Sequence, residues 1–342
     1  MSVRQKVISK NKDCFDLCGV LLCSKDFPEV QKNTTFGLPG WKRNASRAII
    51  LMNNTRVFGQ TGNNIREFFH AFDMAFDNEA ELVLHDNGFP VNHTLSQLYS
   101  QVDLQFLETE LGVTMFDGSR KYAENTTVKT STLFYYKTNL TEEQQLTHRH
   151  YILQKLYRYL ANQIELSDNG ELEKRFCIAR QRYGNQRQHV VVHSRNHYYP
   201  CVGRKIEGNK TAAVSMPPEL ILGLMAQHNM TDSRILMIHD GTENAQNTSI
   251  KLAGNALVGP HFEMIPHSGG NPFSDMMLAI LSDLFIGNPS STFAWYIAQV
   301  RFALGLGVGT HLFYKKEEDG TWVDSCHGEA CLYRKYCHTY GR

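Results

Sequence analysis

The stretch Asn271–Arg301, NPFSDMMLAILSDLFIGNPSSTFAWYIAQVR, constrains this chain more than any other. Asp275–Asp283 spaces its apolar residues as a helix does and carries an acid where a helix starts. Leu284–Gly287 is a short apolar run suited to a buried strand. Phe293–Gly305 is a second apolar-periodic helix. Between strand and helix, Asn288–Thr292 carries Pro289 and a run of hydroxyls, which marks a turn ending at a helix N-cap. Such a turn gathers free backbone N–H groups, small hydroxyls and the positive end of a helix dipole, which together suit a phosphate. The plainer reading is a Ser/Thr cap of the kind any strand–turn–helix carries.

The same alternation runs through the chain. Ala45–Met52 reads as a strand, and Gly59–Asn64 as a glycine loop in which Gly62 lets the backbone pass close to a ligand. Ile65–Asp77 is an amphipathic helix whose N-terminus faces that loop, and Glu81–His85 is the next strand. Thr94–Gly118 reads as helix then loop, and Ser131–Lys137 as a strand. Thr141–Leu166 is a long helix with Thr141 as cap and Glu142 and Glu143 in its first turn. Its histidines and basic residues are expected on a solvated face. In the second half, Gln188–Arg195 is a β-branched run expected to form a buried parallel strand. Pro217–Asn229 is a helix, Ser233–Gly241 a strand, and Phe262–Gly270 a strand and loop. Strand–helix alternation of this kind makes a doubly wound half. His311–Ser325 reads as a hairpin turning at Asp319–Gly320.

In an open α/β sheet, ligands bind outside the carboxyl ends of the strands. His193 and Arg195 stand at one such end and Asp240 at another. The planar fork of an arginine can brace a diphosphate. A surface ion pair for Arg195, and a turn cap for Asp240, are the plainer alternatives.

A chain of 342 residues exceeds one ordinary core, and two domains are expected, 1–170 and 171–342. A net charge of +1 argues against a nucleic-acid partner. No apolar run is long enough to cross a bilayer, and Met1–Asp13 has no signal-peptide core. Yet Asn-x-Ser/Thr sequons stand at Asn33, Asn44, Asn53, Asn92, Asn125, Asn139, Asn209, Asn229 and Asn247, against a chance expectation of about three. Cysteines number 8. Both features point to the lumen of the endoplasmic reticulum or Golgi and to disulfides, with the targeting segment missing from this sequence. The tail Cys326–His338 could instead take zinc, but it has no Cys-x2-Cys pair.

Three motifs, in chain order, resemble those of the protein O-fucosyltransferases and their relatives. The most specific is Asp275, then Phe285-Ile286-Gly287-Asn288, then Ser291-Thr292-Phe293. His193-Ser194-Arg195 is similar to that family's His-x-Arg, and Gly59-x-x-Gly62-Asn63-Asn64 to its N-terminal glycine loop. Gln60 stands where the family has an arginine, and Asn196–Cys201 lacks the acid often seen after its His-x-Arg.

The resemblance implies the GT-B architecture, two Rossmann-like domains facing across a cleft. The N-terminal domain would lie on the acceptor side, and the C-terminal one would bind the nucleotide sugar and carry the Cys-rich tail. It implies inverting transfer of fucose from GDP-fucose to a hydroxyl of a protein or glycan, with no metal or cofactor required. Arg195 would contact the phosphates, and His193 and Asp240 would lie near the nucleoside. Asp275 would order the pocket or read guanine, Ser291 and Thr292 would meet the diphosphate, and Phe293 would wall the nucleotide pocket, with a core position at the start of an apolar helix as its plainer alternative. Gly62 and Asn63 would close the cleft, Asn63 positioning the acceptor hydroxyl. The alternatives are a transferase of the same fold using another sugar nucleotide, and a non-catalytic nucleotide- or glycan-binding descendant. The acceptor, the catalytic base and the oligomeric state stay open.

Overall fold

The computed structural model describes residues 14–17, 20–23, 38, 40–52, 61–85, 104–129, 136–166, 189–194, 218–239, 247, 250–264, 272–287, 291–303, 306–316 and 322–327. A short antiparallel hairpin comes first, β1 (Cys14–Leu17) with β2 (Val20–Cys23). Two sheets follow.

The first sheet is built from β3 (Asn44–Met52), β4 (Ala80–Leu84), β5 (Val113–Met115) and β6 (Glu124–Lys129), in the order β5-β4-β3-β6. Every pairing in it is parallel. The chain adds β4 and β5 to one side of β3, through helix α1 (Thr61–Asp77) and helix α2 (Leu104–Leu111), then returns to place β6 on the other side. Its apolar centre is Ala48–Leu51 of β3 and Leu82–Leu84 of β4, all buried. Helix α1 lays Phe68, Phe69, Phe72 and Ala75 into the core, with Phe68 and Phe72 meeting edge to face at 4.9 Å.

Helix α3 (Glu142–Leu166) begins with a reciprocal cap. The Gln144 N–H donates to Thr141 Oγ1 at 3.2 Å, and the Thr141 N–H donates to Gln144 Oε1 at 2.9 Å.

The second sheet holds β7 (His189–Ser194), β8 (Arg234–His239), β9 (Phe262–Met264), β10 (Leu284–Ile286), β11 (Thr310–Lys316) and β12 (Trp322–His327), in the order β12-β11-β10-β7-β8-β9. Only β12 runs antiparallel to its neighbour. Helix α4 (Pro218–Gln227) covers one face, packing Leu220, Ile221, Leu224 and Met225 on Val190, Val192, Leu284 and Ile286. Helices α5 (Pro272–Ile280) and α6 (Thr292–Ala303) cover the other, over Val191, Leu236, Phe285 and Leu312. This is the doubly wound arrangement the strand–helix alternation predicts.

Helix α6 has apolar residues all round, because it is buried from both sides. It packs against α1 and α3 as well as against its own sheet, and Phe69 meets Tyr296 at 6.5 Å. One apolar core therefore runs from Leu38 through α1 and α6 to Leu312. The expected domain boundary near residue 170 lies outside the described residues.

Several expectations need correction. Most of the strand expected over Ser131–Lys137 lies outside the described residues, and the described edge strand, Glu124–Lys129, was not expected. That strand is polar because Glu124–Thr127 are exposed, so no buried face wrote an alternating pattern into it. Val113–Met115 is a strand where a loop was expected. Among the side chains described, the histidines and basic residues of α3 do not lie on a solvated face: His148 is buried, and Arg149, His150 and Lys155 are half-buried.

Candidate functional site at the strand-order reversal

In the second sheet, counting from β7, strands two and three are added on one side and four to six on the other. The strand order reverses between β7 and β10, and in sheets of this kind the ligand crevice lies at the carboxyl ends of the strands flanking that reversal. Here those ends are His193–Ser194 of β7 and Ile286–Gly287 at the end of β10, held side by side by the Val192–Ile286 register.

Gly287 is required by packing. A Cβ there would lie 2.6 Å from Leu312 Cδ2, 2.9 Å from Phe285 Cε1 and 3.0 Å from Ala294 Cβ. Its N–H donates to the His311 carbonyl at 2.8 Å, continuing the ladder past the strand end. Ser291 is fully buried and caps α6. The Trp295 N–H donates to its carbonyl at 3.1 Å, and the Ala294 N–H approaches its Oγ at 3.5 Å. What Ser291 lends the site is thus the aim of the helix. Thr292 and Phe293 follow in the first turn, both half-buried. The Phe293 ring lies 5.4 Å from the His193 ring, tilted by 52°. Two residues a hundred positions apart in the chain, singled out by two separate motifs, meet at the point where strand order reverses.

Asp275 sits half-buried in the first turn of α5, the position an acid favours against the helix dipole. Arg195 and Asp240, one residue beyond β7 and β8, lie outside the described residues, as do Gly59 and Gln60. Gly62 and Asn63 are placed in the first turn of α1 rather than in a loop, since the helix begins at Thr61. Gly and Asn are poor in helix interiors, but first-turn N–H groups have no intrahelical partner to lose. That turn follows β3, the strand at which the order of the first sheet reverses.

One supporting residue went unremarked in the sequence. Arg301, at the far end of α6, is fully buried and donates to the carbonyls of Ala279 at 3.2 Å, Ile280 at 2.8 Å, Ser282 at 2.5 Å, Leu306 at 3.1 Å and Gly309 at 3.3 Å. Its Nε donates to Thr310 Oγ1 at 2.7 Å. It satisfies the open carbonyl end of α5 and the turn before β11 together, which fixes the two helices that carry Asp275 and Phe293. Burial pushes its guanidinium down to about 9, with the charge of Asp283 opposing. The available signal was a lone cation in an otherwise mostly apolar helix.

A second buried polar cluster lies between α1 and α3. Glu67, His70 and Asp73 form a buried stripe on α1, and Arg149 Nη2 stands 3.8 Å from Asp73 Oδ2. Burial raises the Asp73 carboxyl to about 7; Arg149 opposes the shift and Asp77 adds to it. Tyr136 Oη donates to Asp77 Oδ2 at 2.8 Å.

No family model matches the chain, and no curated relative matches it. Among solved structures, the chain is similar to POFUT1 in complex with GDP, at 11% identity and a TM-score of 0.39 over 76% of this chain and 95% of that one. It is also similar to a mutant of Arabidopsis thaliana FUT1 in complex with GDP, at 11% identity and a TM-score of 0.40 over 83% of this chain and 73% of that one. At such identity and TM-score these likenesses set neither fold nor activity.

Proposed function

We propose that the chain is a glycosyltransferase of the GT-B kind that moves fucose from GDP-fucose to a hydroxyl of a protein or glycan, with inversion at the anomeric carbon. The observation that supports this most is the meeting of His193, Phe293 and the amino end of α6 at the β7/β10 reversal. An aromatic wall, an imidazole and a helix N-terminus suit a nucleoside diphosphate.

The reaction breaks the bond from C1 to the β-phosphate oxygen and forms one from the acceptor oxygen to C1, while the acceptor proton leaves to solvent or a nearby base. Charge builds on the departing diphosphate. Arg195, just past β7, and the N–H groups opening α6 are the chain's means of holding that charge, with no metal in the step. Asp275 orders the pocket wall, and Asp240 is assigned to the nucleoside. Asn63, at the amino end of α1, positions the acceptor hydroxyl from the other sheet.

Five sequon asparagines among the described residues, Asn44, Asn125, Asn139, Asn229 and Asn247, are all exposed, which suits a glycoprotein of the endoplasmic reticulum or Golgi lumen. No helix of the described residues is long and apolar enough to cross a membrane.

The test is GDP release from GDP-fucose, with UDP- and ADP-sugars as controls, in wild type and Arg195→Ala. The variant should fold normally and lose at least a hundredfold in turnover, the scale seen when one oxyanion-type donor is removed. Near-normal turnover in Arg195→Ala contradicts the assignment.

A further inference from the structure

Strand β6 is an outer strand of the first sheet: among the described residues it pairs with β3 and with nothing on its other side. A strand so placed offers a row of backbone N–H and C=O groups on which another strand can pair, and proteins ordinarily blunt it with shortness, charge, proline or a bulge. The opposite edge of this sheet, β5, is three residues long and so is protected by its shortness. The middle of β6 has none of these devices. Its register with β3 is continuous from Arg47–Glu124 to Met52–Lys129, and Asn125–Val128 is uncharged, with three β-branched residues in succession. The charge of Glu124, at its start, is matched by Arg47 Nε at 3.3 Å.

What this stretch does carry is a sequon, Asn125-Thr126-Thr127. Successive strand residues point to opposite faces, and register partners on neighbouring strands share one. Asn125 partners Ala48 and Thr127 partners Ile50, both in the small core with Val83 on the side of the sheet away from α1. Thr126 and Val128 partner Ile49 and Leu51, which belong to the core under α1. The amide and the hydroxyl of the sequon therefore stand on one face, away from α1, and both residues are exposed. The other exposed sequon asparagines sit elsewhere: Asn44 opens the inner strand β3, Asn139 precedes α3, Asn229 follows α4 and Asn247 lies between β8 and β9.

We propose that Asn125 carries an N-linked oligosaccharide, and that this glycan keeps β6 from pairing with a second copy of the chain. The proposal rests on the lumenal placement given above. The donor is a lipid-diphosphate-linked oligosaccharide. A bond forms from Asn125 Nδ2 to the sugar C1 as the C1–oxygen bond to the diphosphate breaks; the amide gives up a proton and the lipid diphosphate leaves. A glycan is bulky and hydrated. Standing on the open face beside the edge, it excludes a second strand, which would have to approach to about 4.8 Å to pair.

The test passes the full chain through the secretory pathway of cultured animal cells behind a supplied leader peptide, and maps occupied sequons by mass spectrometry after glycosidase release in heavy-oxygen water. Asn125 should be occupied in most molecules. Light scattering then compares wild type with Asn125→Gln and Thr127→Ala, which lose the sequon through different residues, and with Thr127→Ser, which keeps it. Thermal melting establishes that each variant is folded. Asn125→Gln and Thr127→Ala should self-associate at a concentration at least tenfold lower than wild type, and Thr127→Ser should match wild type. A bare Asn125 beside other occupied sequons overturns the site alone, whereas a chain bare at every sequon overturns the lumenal placement with it. An occupied Asn125 whose loss leaves association unchanged in both variants overturns the role given to the glycan.

Discussion

Among the described residues, an arginine in each half is taken out of solvent on different terms, Arg301 fully buried and Arg149 half-buried. In the second, Arg301 has no carboxylate in contact among the described residues and spends its N–H groups on five backbone carbonyls. In the first, Arg149 faces Asp73, a carboxyl whose affinity for protons is already raised. Carbonyls have no second state, whereas a carboxyl can take up a proton. The second half is therefore rigidly determined around its proposed site, while the first has a polar interior that can adjust.

The largest expected effect breaks the rigid half. Arg301→Met should cost about 3–5 kcal/mol, because it orphans several buried carbonyls at once. Arg149→Met should cost only about 1–2 kcal/mol, since protonation of Asp73 relieves the unpaired charge. Urea midpoints of the two variants give the comparison directly, and equal losses would erase the distinction.

Next comes Gly287→Ala. Its Cβ would overlap side chains on three elements, so a loss of about 1–3 kcal/mol is expected. Because α6 must shift, nucleotide binding should weaken as well, as calorimetry would register.

A smaller effect sharpens the other side. The folded-state pKa of Asp73 is raised, so the folded chain holds a proton that the unfolded chain releases. Its contribution is most favourable below the ordinary carboxylate range and is lost as pH rises towards about 7. The slope is at most about 1.4 kcal/mol per pH unit. Asp73→Asn should flatten stability between roughly pH 4 and 7. Chemical denaturation across that range checks it, and an unchanged slope would move the titration elsewhere.

How much of this was legible in the sequence follows from what each element buries. Leu284–Ile286 and His189–Ser194 lie at the centre of their sheet, and their continuous apolar or β-branched runs announced them. Glu124–Lys129 lies at an edge and carried no such run. The His193–Phe293 contact was implied only by family likeness, because no local rule links residues so far apart. The burial of His148 and the half-burial of Arg149 were hidden for the opposite reason: charge ordinarily signals solvent, and the acid facing Arg149 stands on another helix. Arg301 was invisible because most of its partners are backbone carbonyls, which sequence does not distinguish.

The central claim is that a guanine nucleotide sits at the β7/β10 reversal. Calorimetric titration of GDP into wild type and Phe293→Ala, with UDP and ADP as controls, tests it most directly. GDP alone should bind wild type. Phe293 is half-buried and packs against the core, so thermal melting first establishes that Phe293→Ala is folded; its GDP affinity should then fall by about tenfold, the value of one aromatic contact. Equal binding of all three nucleotides, or GDP binding untouched by Phe293→Ala, would contradict the account.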